Sequence, residues 1–403
     1  MKNEKLRVPK LRFKEFSGEW EEKSLENIAK FLKGKGISKS DINEDGSLEC
    51  IRYGELYTHY KEKITEIYSR TNLKKDELVL SEYGDIIIPA SGETQIDIAT
   101  ASCVLKSGVA LSGDLNIIKT KEDGLFLSYY LNNARKLDIA KLSQGISVVH
   151  LYSSQLKLLK LNLPQKQEQE KIASFLSSID KKINQLSKKD ELLQNYKKAM
   201  MQKIFSQKLR FKKEDGSDYP EWEEKQVSEF LKLSNNIKPN KIDRDNILTV
   251  KLHQKGIEKS KNTESLSLGA NYYIRRKGQF VYGKQNFFNG AFGIVPSEMD
   301  GFLSSSDVPA LDFILEIINP LFFNYYFGRK NFYNKLEVYA SGTGSKRIHE
   351  KIFLGLNVKF PIKEEQTKIA NFLSSLDTKI SQNKKNLEET QKFKKALLQK
   401  MFV

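Results

Sequence analysis

A stretch of 42 residues occurs twice in this 403-residue chain, and that repetition limits what the chain can fold into more than any other feature. Residues 164–205 and 361–402 align without a gap and share 24 identities. A second shared block precedes each copy. Leu11-Arg12-Phe13-Lys14 and then Trp20-Glu21-Glu22-Lys23 recur as Leu209-Arg210-Phe211-Lys212 and Trp222-Glu223-Glu224-Lys225, and these hold the only two tryptophans. The stretches between the shared blocks diverge, with faint echoes such as Gly84-Asp85-Ile86-Ile87-Ile88 against Gly278-Gln279-Phe280-Val281-Tyr282. The order is entry block, variable domain and long repeated segment, then the same again. Two copies of one fold in one chain predict a pseudo-twofold arrangement.

The repeated segment reads as a helix. It follows a proline, carries no Gly or Pro inside, and has acidic residues near its start (Glu168, Glu170; Glu364, Glu365) and lysines near its end, the distribution the helix dipole favours. Ile172, Leu176, Ile179, Ile183 and Leu186, and in the second copy Ile369, Leu373, Leu376, Ile380 and Leu387, form a heptad seam. Each segment is therefore expected in a coiled coil, antiparallel to its twin and roughly 60 Å long. Asp190, Lys197, Asn383, Thr390 and Lys394 are polar intrusions that weaken the seam. Phe175 and Tyr196 lie off the seam, matched by Phe372 and Phe393. This stripe packs on the adjacent globular domain or docks helices of a partner.

The variable middles mix short β-rich runs (85–88, 115–118, 279–282, 356–360) with helical stretches (125–137, 321–333), an α+β pattern. Loops after the first strands are rich in amides, hydroxyls and charges. They hold Ser91, Glu93, Thr94 and Gln95 in one copy and Lys284, Gln285, Asn286 and Asn289 in the other. Such groups make paired hydrogen bonds to base edges, although an ordinary polar loop has the same composition. Tyr272, Tyr273, Arg275, Arg276 and Lys277 form a basic-aromatic cluster suited to phosphates. The segment Ser341-Gly342-Thr343-Gly344-Ser345-Lys346-Arg347 also suits an anion, because glycines let backbone N–H groups approach it.

Lys and Arg total 67 against 51 Asp and Glu, a net charge of +16 that points to a polyanionic partner, nucleic acid first. No apolar run is long enough to span a bilayer, and the N-terminus lacks a signal-peptide apolar region, so a cytoplasmic protein is expected. Two cysteines and four scattered histidines supply neither a disulfide scaffold nor a zinc site. Asp41-Ile42-Asn43-Glu44-Asp45-Gly46-Ser47 resembles half of a calcium loop, but Arg52 stands where the bidentate Glu belongs. Asn319-Pro320-Leu321-Phe322 breaks the N-P-P-F motif of adenine methyltransferases and reads better as a helix cap. No catalytic constellation, metal site or cofactor site is expected.

The repeated Leu-Arg-Phe entry, the Trp-Glu-Glu-Lys that follows, and the P-x-x-x-E-Q-x-K-I-A-x-F-L-S-S-x-D box (Pro164 to Asp180, Pro361 to Asp377) resemble the specificity subunits of type I restriction-modification systems. The Gly36 to Tyr53 segment is similar to that family's first variable domain, which adds Arg52 and Tyr53 to the candidate DNA contacts. The resemblance implies two target recognition domains (1–163 and 206–360, each with its entry arm) and two conserved spacer helices (164–205 and 361–403). Each domain would read one half of a split double-stranded DNA target. The helices would fix the gap and dock two methyltransferase subunits, which a motor-nuclease subunit then joins. It implies a non-catalytic chain without a cofactor of its own.

Overall fold

The computed structural model describes residues 7–145, 148–261, 271–342 and 345–403. The chain divides into two units, Met1–Lys189 with Asn383–Val403, and Asp190–Gln382. Two long helices, Lys166–Phe205 and Lys363–Lys400, each give one part to either unit.

In the first unit, strand Asp85–Pro89 is buried along its whole length. It lies mid-sheet in the order Ala29–Lys33, Leu115–Thr120, Asp85–Pro89, Ser102–Val104, Lys63–Ile64. A run of three isoleucines suits a strand covered on both faces. Helix Gly124–Asn133 packs on this sheet, and Ser69–Thr71, Leu48–Ile51, Ala110–Leu111 and Val79–Leu80 form a second sheet. The second unit has the smaller sheet Leu231–Leu233, Ala310–Phe313, Phe280–Tyr282, Phe292–Ile294, with helix Pro320–Phe327 on an aromatic core of Phe280, Phe287, Phe323, Phe327 and Phe353. The α+β expectation and the four strand placements hold. The two middle helices are shorter than expected. The first stops at Asn133 and a separate helix, Lys136–Leu142, turns Ile139 and Ala140 back into the core; the second stops at Gly328. Asn319 caps that second helix by accepting from the N–H groups of Leu321 and Phe322, with Pro320 in its first turn.

The conserved residues assemble the same frame in each unit. The strand after each tryptophan, Glu21–Ser24 or Glu223–Gln226, pairs antiparallel with the strand leading into a long helix, Lys160–Leu163 or Asn357–Phe360. Arg12 grips the buried Glu168 carboxylate with two hydrogen bonds of 2.8 and 2.7 Å, and Arg210 grips Glu365 at 3.2 and 2.8 Å. The next residue of the box acts alike in both copies. Gln169 donates to the Pro164 carbonyl (2.9 Å) and accepts from Asp123 N–H (3.0 Å); Gln366 donates to Pro361 (2.9 Å) and accepts from Asn319 N–H (2.8 Å). Asp123 and Asn319 are the capping residues of the helices that pack on the sheets. One buried glutamine therefore ties the start of a long helix to the start of a core helix.

The end of the other long helix completes each core. Phe402 meets Phe126 and Tyr130 beside Trp20, and Phe205 meets Phe322 and Tyr326 beside Trp222. Within each unit the long-helix segments run antiparallel. In the first, Asp180 contacts Lys394 while Asn383 Nδ2 donates to the Leu186 carbonyl at 2.9 Å. In the second, Lys197 contacts Asp377, and Ile204 shares a core with Ile369, Ala370 and Leu373. The ten seam residues are buried or half-buried. Leu176 and Leu373 are fully buried, each contributing about 1.5–3 kcal/mol of transfer free energy.

Two of the polar intrusions belong to repeated clasps. Lys394 Nζ is 2.7 Å from Asp180, which also accepts from the Tyr129 hydroxyl; Lys197 Nζ is 2.5 Å from Asp377, which accepts from Tyr325 at 2.6 Å. Burial first, and then the aspartate, pushes both tyrosine hydroxyls up, so they stay donors. Asp180 is 24% exposed and Asp377 45%. Asp180→Ala should therefore cost about 2 kcal/mol and Asp377→Ala about 1 kcal/mol in urea unfolding, because solvent screens the second clasp. The reverse order would contradict this account of the clasps.

Candidate nucleic-acid interface

Beyond Pro89 the chain of the first unit surfaces as Ser91–Gly92, which pairs with Val149–His150. Tyr57 reaches the same place and donates its hydroxyl to the Ser91 carbonyl at 2.8 Å. A Cβ on Gly92 would sit 2.8 Å from that hydroxyl, so glycine is what permits the approach. Tyr57 also stands edge-on to Tyr53. The structure thus brings Arg52 and Tyr53 to the loop 91–95. Arg52 is steered by Glu55 (3.6 Å), a buried carboxylate that also accepts from the Ser69 hydroxyl at 2.5 Å. Thr94 is engaged by the turn Gln95–Ile98, accepting from Asp97 N–H and donating to its carboxylate. Glu93 and Gln95 are exposed.

The second unit repeats this placement with other side chains. Ile348 N–H donates to the Lys284 carbonyl (2.9 Å) as Leu151 N–H donates to Ala90 (3.0 Å). Ahead of each, the chain pairs with itself as a hairpin whose arms, outside residues 146–147 and 343–344, are described. Ser341 and Arg347 exchange backbone hydrogen bonds of 2.9 and 2.8 Å, and Gln144 and His150 exchange bonds of 2.9 and 2.7 Å. Gly342 (φ +124°) and Gly145 (φ +121°) bend them, and a Cβ at either would collide with a backbone oxygen. Thr343 and Gly344 of the proposed anion segment lie outside the described residues. In the loop, Gln285 is exposed, Asn289 donates to the Asn286 amide oxygen at 3.1 Å, and left-handed Gly290 closes the turn.

The candidate cations are already paired: Lys284 with Glu350 (2.8 Å), Arg276 with Asp300 (3.8 Å), Lys346 with Glu337 (2.6 Å) and Arg347 with Asp307 (3.7 Å). These carboxylates aim the cations, and an incoming phosphate would have to displace them. Arg275 does not belong to the basic surface expected of it. It is 0% exposed, and its guanidinium donates to Ser304 Oγ (2.6 Å), Asn236 Oδ1 (3.3 Å) and the Val308 carbonyl (3.0 Å), while burial lowers it to about 10. It braces the unit's interior and is not available to a phosphate.

The off-seam stripe also divides. Phe175 is half-buried edge-on against Phe13 at 5.7 Å, and Phe372 against Phe211 at 5.7 Å. The chain's own entry arms pack on them, the first of the two alternatives for this stripe, so they are not offered as a partner surface. Tyr196 (47%) and Phe393 (53%) remain exposed.

The first unit's hairpin is not marked as a site by composition alone. It places His150 stacked on the exposed Tyr152 (6.1 Å between centroids) beside Ser91. The signal was available, since the gapless repeat alignment continues upstream and sets Gly145 against Gly342.

Two α+β units on a common frame, each carrying a different loop and hairpin at the same place, define a duplicated recognition protein. The family described as Type I restriction modification DNA specificity domain matches residues 17–194 and 219–390, and the chain belongs to it. It is 25% identical over 411 residues to the type I restriction enzyme MjaVIII specificity subunit of Methanocaldococcus jannaschii, covering 96% of this chain and 94% of that one. The crystal structure of a type I restriction-modification S subunit from M. genitalium superposes with a TM-score of 0.61 at 17% identity, covering 98% and 99% of the two chains, a likeness of fold. The chain is a specificity subunit, whose part is recognition rather than catalysis. Among the described residues, no helix is long and apolar enough to cross a membrane.

Proposed function

We propose that each unit reads one half of an asymmetric, two-part sequence in double-stranded DNA, and that the long helices set the spacing between the halves. The observation that carries this reading is the repeated placement of loop and hairpin on one frame with unlike side chains: Ser91, Glu93 and Gln95 with Arg52 and Tyr53 in one unit, Lys284, Gln285, Asn286 and Asn289 with Lys346 and Arg347 in the other. Amide side chains suit adenine edges, cations suit guanine or phosphate, and carboxylates suit cytosine. Unlike sets predict unlike half-sites.

The functional division follows residues 1–163 and 206–360 as reading modules and 164–205 and 361–403 as spacer helices. Exposed Tyr196 and Phe393 are the proposed contacts for two adenine methyltransferase subunits, through which a motor-nuclease subunit joins, and the complex works in the cytoplasm. The testing experiment maps methylated adenines across a genome with and without this chain. A bipartite motif that appears only with the chain supports the reading, and an unchanged methylation pattern refutes it. A net charge of +16 makes phosphate contact the main source of affinity. Binding of the assembled complex should weaken by roughly 10³-fold or more between about 50 and 200 mM salt, as measured by titration of labelled duplex. A nearly flat salt dependence would count against phosphate contacts as the main term.

A further inference from the structure

The turn between strands Leu248–Val250 and Ile257–Lys259 of the second unit holds two consecutive non-glycine residues in the left-handed region, His253 (φ 59°) and Gln254 (φ 58°). No other such pair occurs among the described residues. L-residues adopt this conformation at a conformational cost that glycine avoids, and asparagine bears it more easily than histidine. The turn is bonded to the candidate loop. His253 N–H donates to the Asn289 carbonyl at 2.9 Å, Gln254 N–H donates to the Gly290 carbonyl at 3.0 Å, and the Gln254 amide donates to that same oxygen at 3.2 Å. Gln254 thus has a structural role, and its side chain also lies against Gly328, where a Cβ would come within 3.0 Å of Oε1.

His253 has none that its side chain explains. The backbone bond to Asn289 would form with any residue. The imidazole is exposed and has no hydrogen-bond or ion-pair partner among the described residues. A strained position held by a side chain idle within its own chain indicates selection for something outside it.

We propose that His253 is a base-contacting residue of the second unit, acting beside Gln285 and Asn289 and donating from its ring to an acceptor such as guanine N7 or O6. The proposal rests on the reading above and names a residue that determines its specificity.

The test uses the whole chain assembled with the methyltransferase subunits of its own system, with adenine methylation mapped on genomic DNA. His253→Gly should raise the melting temperature by relieving strain, yet reduce discrimination at one base pair of one half-site roughly tenfold. His253→Asn, which keeps a short polar group in the same conformation, should alter preference at that same base pair. Gln207→Gly relieves a left-handed residue (φ 58°) at the end of the first long helix; it should raise the melting temperature and leave the motif alone. A His253→Gly complex that melts higher and methylates an unchanged motif overturns the proposal, as does equal loss in both half-sites. If the wild-type complex directs no bipartite methylation, it is the reading of the whole chain that fails.

Discussion

Arg210→Ala should destabilise the second unit by about 3–5 kcal/mol, the cost of leaving a buried carboxylate without its partner. Glu365 is 0% exposed, and the guanidinium that grips it also donates to the backbone carbonyls of Tyr219 (3.2 Å) and Pro220 (2.6 Å). Truncation thus opens the fastening between entry arm and helix. Hydrogen bonding to Glu365 raises the Arg210 guanidinium above its ordinary value, so alkaline pH does not release the pair. The double change Arg210→Met with Glu365→Leu should recover most of the loss, because no charge is then stranded. Each unit has one tryptophan, so urea unfolding followed by fluorescence in a Trp20→Phe background reports the second unit alone. A loss of less than about 1 kcal/mol for the single change would show that the pair is solvated and that the frame rests on its apolar contacts. Arg12→Ala, facing Glu168, should repeat the result in the first unit.

Replacing residues 222–360 by the corresponding stretch of another family member should change one half of the methylated sequence completely and leave the other half and the gap as they were. The exchange removes the loop 284–289, the hairpin 341–347 and the turn 251–256 together. It keeps Arg210, Glu365, Gln366, Asp377 and Lys197 of the frame. Several contacts cross the junction: Asn319 N–H to Gln366 uses a backbone donor that most incoming residues can supply, whereas the tyrosine on Asp377 and the rings around Phe205 must be matched by the incoming unit. Methylated-adenine mapping is the readout. A change in both halves would falsify modular reading.

The repeat, the heptad seam and the family were legible in the sequence because they are periodic or copied, and a single strand of text carries both signals. The strand at 85–89 was legible for a similar reason, since three consecutive isoleucines leave little else for it to be. The roles of individual residues were not. Periodicity shows that Phe175 lies off the seam but not that Phe13 folds over it. Arg275 stands in a basic cluster that reads as surface, and only the fold delivers Ser304, Asn236 and Val308 to surround it. Thr94 suits a base edge as well as a helix cap, and the structure uses the cap. For Phe175 and Arg275 the deciding partner is remote in the chain, where composition does not show it.

The glutamine that joins two helix starts, the arginine on its buried carboxylate and the aspartate clasp all lie outside the loops and hairpins that differ between the units. If the units read half-sites as proposed, folding and target choice draw on separate sets of positions. A lineage carrying such a chain can acquire a new target through a handful of loop changes, or through recombination across one unit, while its descendants inherit the scaffold unaltered. On the proposed reading, that separation lets recognition change while the fold is kept.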